Sequence, residues 1–431
     1  YFHGISVDQI VAFTTGDGDS CAAQTSTGNG APTVNAGAAI SIPKSTPFYL
    51  TGSATDPNDD PLTYCWEQFN AGSTVAIFRS FNPTASTVRT FPKLSDLLNN
   101  TTTIGETLPS SPRTMNFRLT ARDNRAGGGG VNDSATTVVV ASSGPFLVTA
   151  PNTAVTWTGT SAQTVTWNVA STTTAPVSCA NVKILFSTDG GNTFPTTILA
   201  STPNDGTQSI TVPNVATTTA RVRVECATSP FFDLSNANFT ITPLVDNVIA
   251  TATTTTNVDV SWNAVAGAVS YEVHRKAPGG SFTLLGPSLT TNFSDLTAAA
   301  GTSYLYAVKW INGSAVTSAL SNPDLATTIL FTDPTLTVQS TIAKAVHFTE
   351  LRTAVNAVRS LAGLSAASFT DPTLTAAVTQ IKAVHLTELR TALDAARSSL
   401  GLTANSYTDP SPVTTTVIKA AHVNELRNGV K

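Results

Sequence analysis

Residues 330–431 carry one pattern three times, as FTDPTL…KAVHFTELRTAV, FTDPTL…KAVHLTELRTAL and YTDPSP…KAAHVNELRNGV. Asp333, Asp371 and Asp409 stand 38 residues apart, and His347, His385 and His422 follow at 38 and 37. Such a period marks a helical repeat, whose single unit cannot bury its own apolar face. In the second copy Leu386, Leu389, Leu393, Ala396 and Leu400 fall at steps of three and four, one stripe down a helix. The copies must therefore pack on one another as an array. The third stops at Lys431, about two helical turns short of the others, and is expected to be cut there.

Within each copy, His-x-x-Glu-Leu-Arg sets His347 and Glu350, His385 and Glu388, and His422 and Glu425 one turn apart. Three such sets could converge on a metal ion. The reading we expect is structural: each histidine orients its turn while the glutamate and arginine tie repeat to repeat, because polar networks are commoner than metal sites.

Upstream, the periodicity changes from helical to alternating. In MNFRLTARDN, Met115, Phe117, Leu119 and Ala121 share one face and Asn116, Arg118, Thr120 and Arg122 the other. Similar runs, TVTWNVA, VKILFSTDGGNTF, ARVRVECA and VDVSWNAV, continue to the repeats. The expected fold class is mainly β, with tandem Ig-like or fibronectin-like β-sandwiches and a C-terminal α-helical repeat domain. A chain of 431 residues calls for several domains. We place a helix and tether at 1–31, sandwiches at 32–143, 144–243 and 244–329, and the repeats at 330–431.

Charged residues make up only 12%, and the net charge of −4 comes with no basic cluster, so neither nucleic acid nor an anionic bilayer is an expected partner. No apolar run approaches the roughly 18 residues of a membrane-spanning helix. Four cysteines permit three pairings; Cys21 with Cys65 and Cys179 with Cys226 are expected, since the four fall into two sequence-local pairs. Leu62, Tyr64 and Trp66 share a face opposite Cys65, so a Cys65 bridge should reach outward and staple the tether to its sandwich. Cys226 alternates with Val222 and Val224 and should lie in a core. Disulfides in a strand-rich, charge-poor chain indicate an extracellular or cell-surface setting.

The run VDVSWNAV, SYEVHRK and LTAAAGTSYLYAVKW resembles a fibronectin type III domain over about 85 residues, with Tyr304 in the place of its corner tyrosine. The words YFHGISVDQI, TGSATDPNDDPLTYCWEQFNAG, FRSFNPT, FRLTARDNRAGGGG and FDLSNANF resemble the region after the catalytic core of bacterial reprolysin-like zinc metallopeptidases, from residue 1 to about 243. That resemblance implies that the first segment is the peptidase's last helix and that the peptidase itself would lie upstream. The zinc site of such enzymes needs a His-Glu pair on a helix. The five histidines here are followed by Gly, Arg, Phe, Leu and Val, so this chain holds no such site.

The acidic turn DPNDDPL supplies Asp56, Asn58, Asp59 and Asp60, which Asp123 and Asn124 could meet from a neighbouring strand. It admits two readings: oxygen ligands for calcium, or side chains that cap their own backbone. Similar turns occur in polycystic-kidney-disease-type and cadherin-like sandwiches, to which 32–143 is compared. STDGGNTF fits an Asp-box hairpin, with Asp189 bonding turn amides, Gly191 taking positive φ and Phe194 plugging the core. The GGGG run at 127–130 opens no helix and is a loop rather than a phosphate cradle.

The expected function is a non-catalytic extracellular structural or adhesive protein, binding other copies of itself or cell-surface and matrix components. Its cofactor prospect is calcium alone. Ile5, Val7, Ile10, Val11 and Phe13 on the first helix, freed of their parent fold, should seek another surface and could build a filament. The alternative is the ancillary part of a secreted zinc metallopeptidase. A string of carbohydrate-binding modules ranks lower, because the five Trp mostly fall in core-like alternation.

Overall fold

The computed structural model describes residues 3–21, 25–69, 78–337, 344–376, 378–413 and 416–431. It is mainly β with C-terminal helices, and divides into two compact units, Tyr1–Thr242 and Pro243–Lys431.

In the first unit, helix α1 (Gly4–Thr14) precedes a four-stranded sheet ordered Ile40–Pro43, Val131–Ala141, Arg113–Arg122 and Thr63–Gln68. Its outermost pair, Ile40–Pro43 with Val131–Ala141, is parallel and the rest antiparallel. Met115, Phe117, Leu119 and Ala121 are all buried, as alternation requires. Phe117 meets Phe48, Phe78 and Phe91 in an aromatic cluster, where Phe48 stacks on Phe91 at 4.9 Å. A short helix α2 (Leu94–Asn99) leaves this region.

A second pair of sheets follows in the same unit. One runs Thr156–Thr158, Phe239–Thr242, Thr217–Cys226, Asn181–Ser187 and Thr196–Pro203; the other runs Thr207–Thr211, Ala162–Asn168 and Leu147–Ala150. Val182, Ile184, Phe186, Val222 and Val224 fill the space between them, and their cluster is continuous with that of the first sheet. Cys226 is buried and bonded to Cys179, joining residues 47 apart.

The opposite face of Thr217–Cys226 departs from simple alternation, since Arg221 and Glu225 are buried as well. Glu225 lies under the strand Phe48–Thr51, whose Tyr49 hydroxyl donates to it at 2.8 Å, while Arg221 donates to Asn238 and to the carbonyls of Ser235 and Leu98. Arg223 completes the cluster, 2.6 Å from Glu225 and 3.7 Å over the Phe232 ring. A strand covered on both sides needs partners for its polar side chains, and these are they.

In the second unit a three-stranded sheet (Ile249–Ala252, Val258–Ser261, Asn292–Asp295) faces a four-stranded one (Phe282–Ser288, Ala268–Lys276, Ser303–Asn312, Asp324–Thr327). Trp262, Tyr271, Tyr304, Tyr306, Val308 and Trp310 form the core. The Tyr304 hydroxyl accepts the Ala299 N–H at 2.9 Å, bracing the loop before its strand as a tyrosine corner does. Leu305 and Leu325, on the other face, are buried under helices α3 (Ala345–Leu361), α4 (Ala383–Ser399) and α5 (Ala420–Gly429).

Candidate interaction sites

The three helices begin alike. Lys344, Lys382 and Lys419 are extended N-cap residues whose backbone N–H groups donate to Nδ1 of His347, His385 and His422 at 3.2, 3.2 and 3.3 Å. An imidazole at N3 here does what Glu or Gln does in a capping box. With Nδ1 accepting, Nε2–H is left to donate, and it lies 3.1 Å from Oδ2 of Asp333, Asp371 or Asp409. All three histidines are fully buried. The same Oδ2 atoms accept from Lys344, Lys382 and Lys419 at 2.6–2.7 Å. These lysine bonds, with the histidine bonds, hold the three carboxyls below the usual carboxylate range. Each aspartate sits at φ near +50°, a left-handed conformation that a short polar side chain tolerates.

The histidine and glutamate of each motif do not converge. Glu350 accepts the N–H and hydroxyl of Thr332, Glu388 those of Thr370, and Glu425 the N–H of Thr408, inside their own repeats, while Glu425 also accepts from Arg390 at 3.3 Å and Glu350 lies 3.7 Å from Arg427, each an arginine of another repeat. The arginine is what passes between repeats. Arg352 donates to the carbonyls of Thr370 and Asp371 at 2.7 and 2.8 Å. Arg390 does the same to Thr408 and Asp409, at 2.7 Å each.

Arg427 then donates back to Thr332 and Asp333, at 2.8 and 2.6 Å. The guanidinium groups lie 5.0, 4.5 and 4.7 Å over Phe369, Tyr407 and Phe331 in the same order. First meets second, second meets third, and third meets first. The three copies, expected to pack on one another, do so as a closed ring, with Phe348, Leu386 and Val423 and then Leu351, Leu389 and Leu426 at equivalent buried positions. An open stack exposes an apolar stripe at each end, whereas closure on three copies leaves none.

The first helix is the opposite case. Its start is clamped: the Glu67 carboxylate accepts the Gly4 N–H at 2.7 Å and lies 2.9 Å from His3 Nδ1, while Arg118 donates to Asp8 at 2.7 Å. Beyond that clamp its side chains stand in solvent. Ile5 is 69% exposed, Phe13 65%, Val11 46% and Ile10 45%, with Val7 half-buried. At about 100° per residue these five are spread around the axis rather than along one stripe. A helix apolar on every side normally belongs inside a larger body. A cavity of about 380 Å³ adjoins the clamp, lined by Ile5, Glu67, Phe69, Phe78 and Arg118.

The acidic turn is used locally. Asp56 Oδ1 accepts the N–H groups of Asn58 and Asp60 at 2.8 and 3.2 Å. Asn58 accepts the Gly30 N–H at 2.8 Å, and Asp60 lies 3.6 Å from Arg125. Asp123 is buried beside the tether, accepting from Asn29, the Arg125 N–H and the Gly130 N–H. Burial pushes its carboxyl up, but those hydrogen bonds outweigh it and leave it below the usual range. Among the described residues, no group of three or more His, Cys, Asp or Glu side chains is placed to hold a metal ion.

In the Asp-box, Asp189 accepts from Ser187, the Thr193 hydroxyl and the Thr193 N–H, which hold it at about 2. Gly191 takes φ +92° beside Leu98, as expected. Phe194 differs: it is half-buried and lies 5.8 Å from the Arg223 guanidinium instead of plugging the core. Cys65 is buried, 3.3 Å from the Phe81 carbonyl, because residues 78–82 cover the face expected to point outward. The Cys21 side chain lies outside the described residues, and with it the expected Cys21–Cys65 bridge.

No protein-family model matches the chain. A poly(3-hydroxybutyrate) depolymerase of Ralstonia pickettii is 41% identical over 78 residues, 18% of this chain and 15% of that protein. The chain therefore spans only a small part of the curated relative it matches. Its neighbours among solved structures are fibronectin type III-like. A fibronectin type III-like protein from Clostridium thermocellum is 28% identical over 19% of this chain and 88% of its own, with a TM-score of 0.18. The sixth fibronectin type III domain of human fibronectin type III domain containing protein 3 is 14% identical over 19% of this chain and 82% of its own, also at 0.18.

Proposed function

We propose that this chain is a non-catalytic extracellular structural or adhesive component that associates with further copies through α1. The observation that carries this reading is the exposure of Ile5, Ile10, Val11 and Phe13 on a helix whose first turns are clamped. Full burial of such side chains is worth about 1.5–3 kcal/mol each. Their spread around the helix favours insertion into a groove over contact with a flat face. A subunit that inserts α1 into the next makes a heterologous contact, which can propagate as a filament. The fibronectin type III-like multidomain fold and the Cys179–Cys226 disulfide are compatible with such an extracellular role. No described helix is long and apolar enough to cross a membrane.

The test is mass against concentration for the purified chain, by light scattering and electron microscopy. Growth beyond 44.6 kDa that disappears in a variant carrying Ile5→Ser, Ile10→Ser, Val11→Ser and Phe13→Ser supports the reading. A monodisperse monomer at every concentration overturns it.

A second reading rests on the same helix. The resemblance of residues 1–243 to the post-catalytic region of reprolysin-like zinc metallopeptidases would make α1 the last helix of a peptidase fold and this chain an ancillary region. The similarity to one stretch of a depolymerase fits a module that an enzyme's chain can also carry. N-terminal sequencing and intact mass of native material separate the two, since upstream sequence with His-Glu-x-x-His favours the enzyme.

A further inference from the structure

Each repeat buries one imidazole in the same two-sided grip. His347, His385 and His422 are fully enclosed, with Nδ1 accepting the N-cap N–H of Lys344, Lys382 or Lys419 and Nε2 set 3.1 Å from Oδ2 of Asp333, Asp371 or Asp409. A ring nitrogen that accepts an N–H carries no proton, so the closed ring holds each imidazole in its neutral form. The charged groups at each joint balance: Asp333 and Glu350 against Lys344 and Arg427, Asp371 and Glu388 against Lys382 and Arg352, Asp409 and Glu425 against Lys419 and Arg390. Each aspartate Oδ2 is also engaged by its lysine at 2.6–2.7 Å. A proton on Nδ1 would set two N–H groups against each other beside a fully buried ring, with no net negative charge to compensate.

We propose that the three imidazoles make the ring an acid-sensitive latch, closed while they are neutral and opened when mild acid charges them together. An imidazole released from its cap into water takes up a proton below about pH 6.5. The closed ring therefore binds fewer protons than the opened one, so its stability is present above about pH 6.5 and is lost as pH falls. The three groups act on one core, since Phe348, Leu386 and Val423, next to them in the chain, belong to a single cluster. Opening uncovers the apolar faces of α3–α5 and the Leu305 and Leu325 side chains beneath them. Asp333, Asp371 and Asp409 act in a lower window, because carboxyls held below their usual range lose their contribution only under about pH 4. Asp233 lies in the other unit and acts in the opposite direction. This latch does not depend on association through α1.

The test follows the helical signal of the full chain, most of which comes from the 17, 17 and 10 residues of α3, α4 and α5. Denaturant unfolding is compared at about pH 7.5 and about pH 5.5, and the unfolding constant should be about a thousandfold larger at the lower pH, about tenfold for each imidazole. Changing all three, as His347→Gln, His385→Gln and His422→Gln, keeps the cap and removes the titration, because Gln at N3 accepts the same N–H in an ordinary capping box. That variant should stay folded at both pH values, with an unfolding constant changed by less than about threefold. Single replacements should each take about tenfold from the rise, and they decide the matter where the triple variant does not fold. A parent chain whose constant rises by less than about tenfold, or single and triple variants that keep the full rise, would overturn the proposal.

Discussion

Replacing Arg427 by Ala asks directly whether the repeats close. Its side chain is buried, with two donors on carbonyls at 2.6 and 2.8 Å and its guanidinium 4.7 Å from the Phe331 ring. A hydrogen bond from a charged donor is worth about 1.5–3 kcal/mol. Thr332 is exposed and Asp333 partly so, so water can recover part of that loss once the arginine is gone. The ring contact adds about 0.5–1 kcal/mol. The net expectation is a loss of about 2–4 kcal/mol of helical-domain stability, of the same size as for Arg352→Ala or Arg390→Ala, whose contacts are equivalent. Denaturant unfolding of the three full-length variants, followed by far-ultraviolet circular dichroism, measures this. If the repeats formed an open array, Arg427 would stand at a free end and its removal would cost about 0–0.5 kcal/mol, as at an ordinary surface position. A cost that small, beside a large one for Arg352→Ala, would refute the closed ring.

Burial raises the Asp233 carboxyl to about 7, against which the Val148 N–H bond at 2.7 Å works only in part. Because the folded value exceeds the unfolded one, the contribution of Asp233 to the stability of the first unit is fully present below about pH 4 and is lost, on the order of 4 kcal/mol, as pH rises through about 7. Asp233→Asn, which keeps an acceptor for Val148, should flatten that dependence in pH-resolved thermal melts. Reducing Cys179–Cys226 opens a loop of 47 residues and should cost about 4 kcal/mol on the chain-entropy account, measured by denaturation with and without reductant. Glu67→Ala removes the acceptor for Gly4 N–H, so limited proteolysis should cut within residues 3–14 sooner than in the parent chain, while the sheet beneath melts within about 1–3 kcal/mol of it. An unchanged cleavage rate would mean that the clamp does not hold α1.

Much of this architecture was legible because local patterns carry their own physics. A period-two run such as Met115 to Ala121 buries one face of a strand wherever that strand ends up, and a repeated 3-4 stripe demands a partner helix. The cysteine at 226 could be assigned to a core for the same reason. The failures occur where a second layer covers a face that the pattern marks as polar or outward. Cys65, expected to point outward, lies under residues 78–82, and Glu225, on the face opposite Val224 and Cys226, lies under Tyr49. Asp333, Asp371 and Asp409 were visible as punctuation, but their role as the shared acceptor for lysine and histidine required knowing that the preceding turn folds back onto the helix start.

What the sequence determined by itself is the unit: strands of alternating burial, and a helix begun by Lys and His, written three times over. The tertiary structure alone decided how the units meet. Whether a third repeat faces a fourth, solvent or the first depends on the angle accumulated between neighbours. That angle arises from packing across helices that share no sequence neighbourhood, so no local spacing records it.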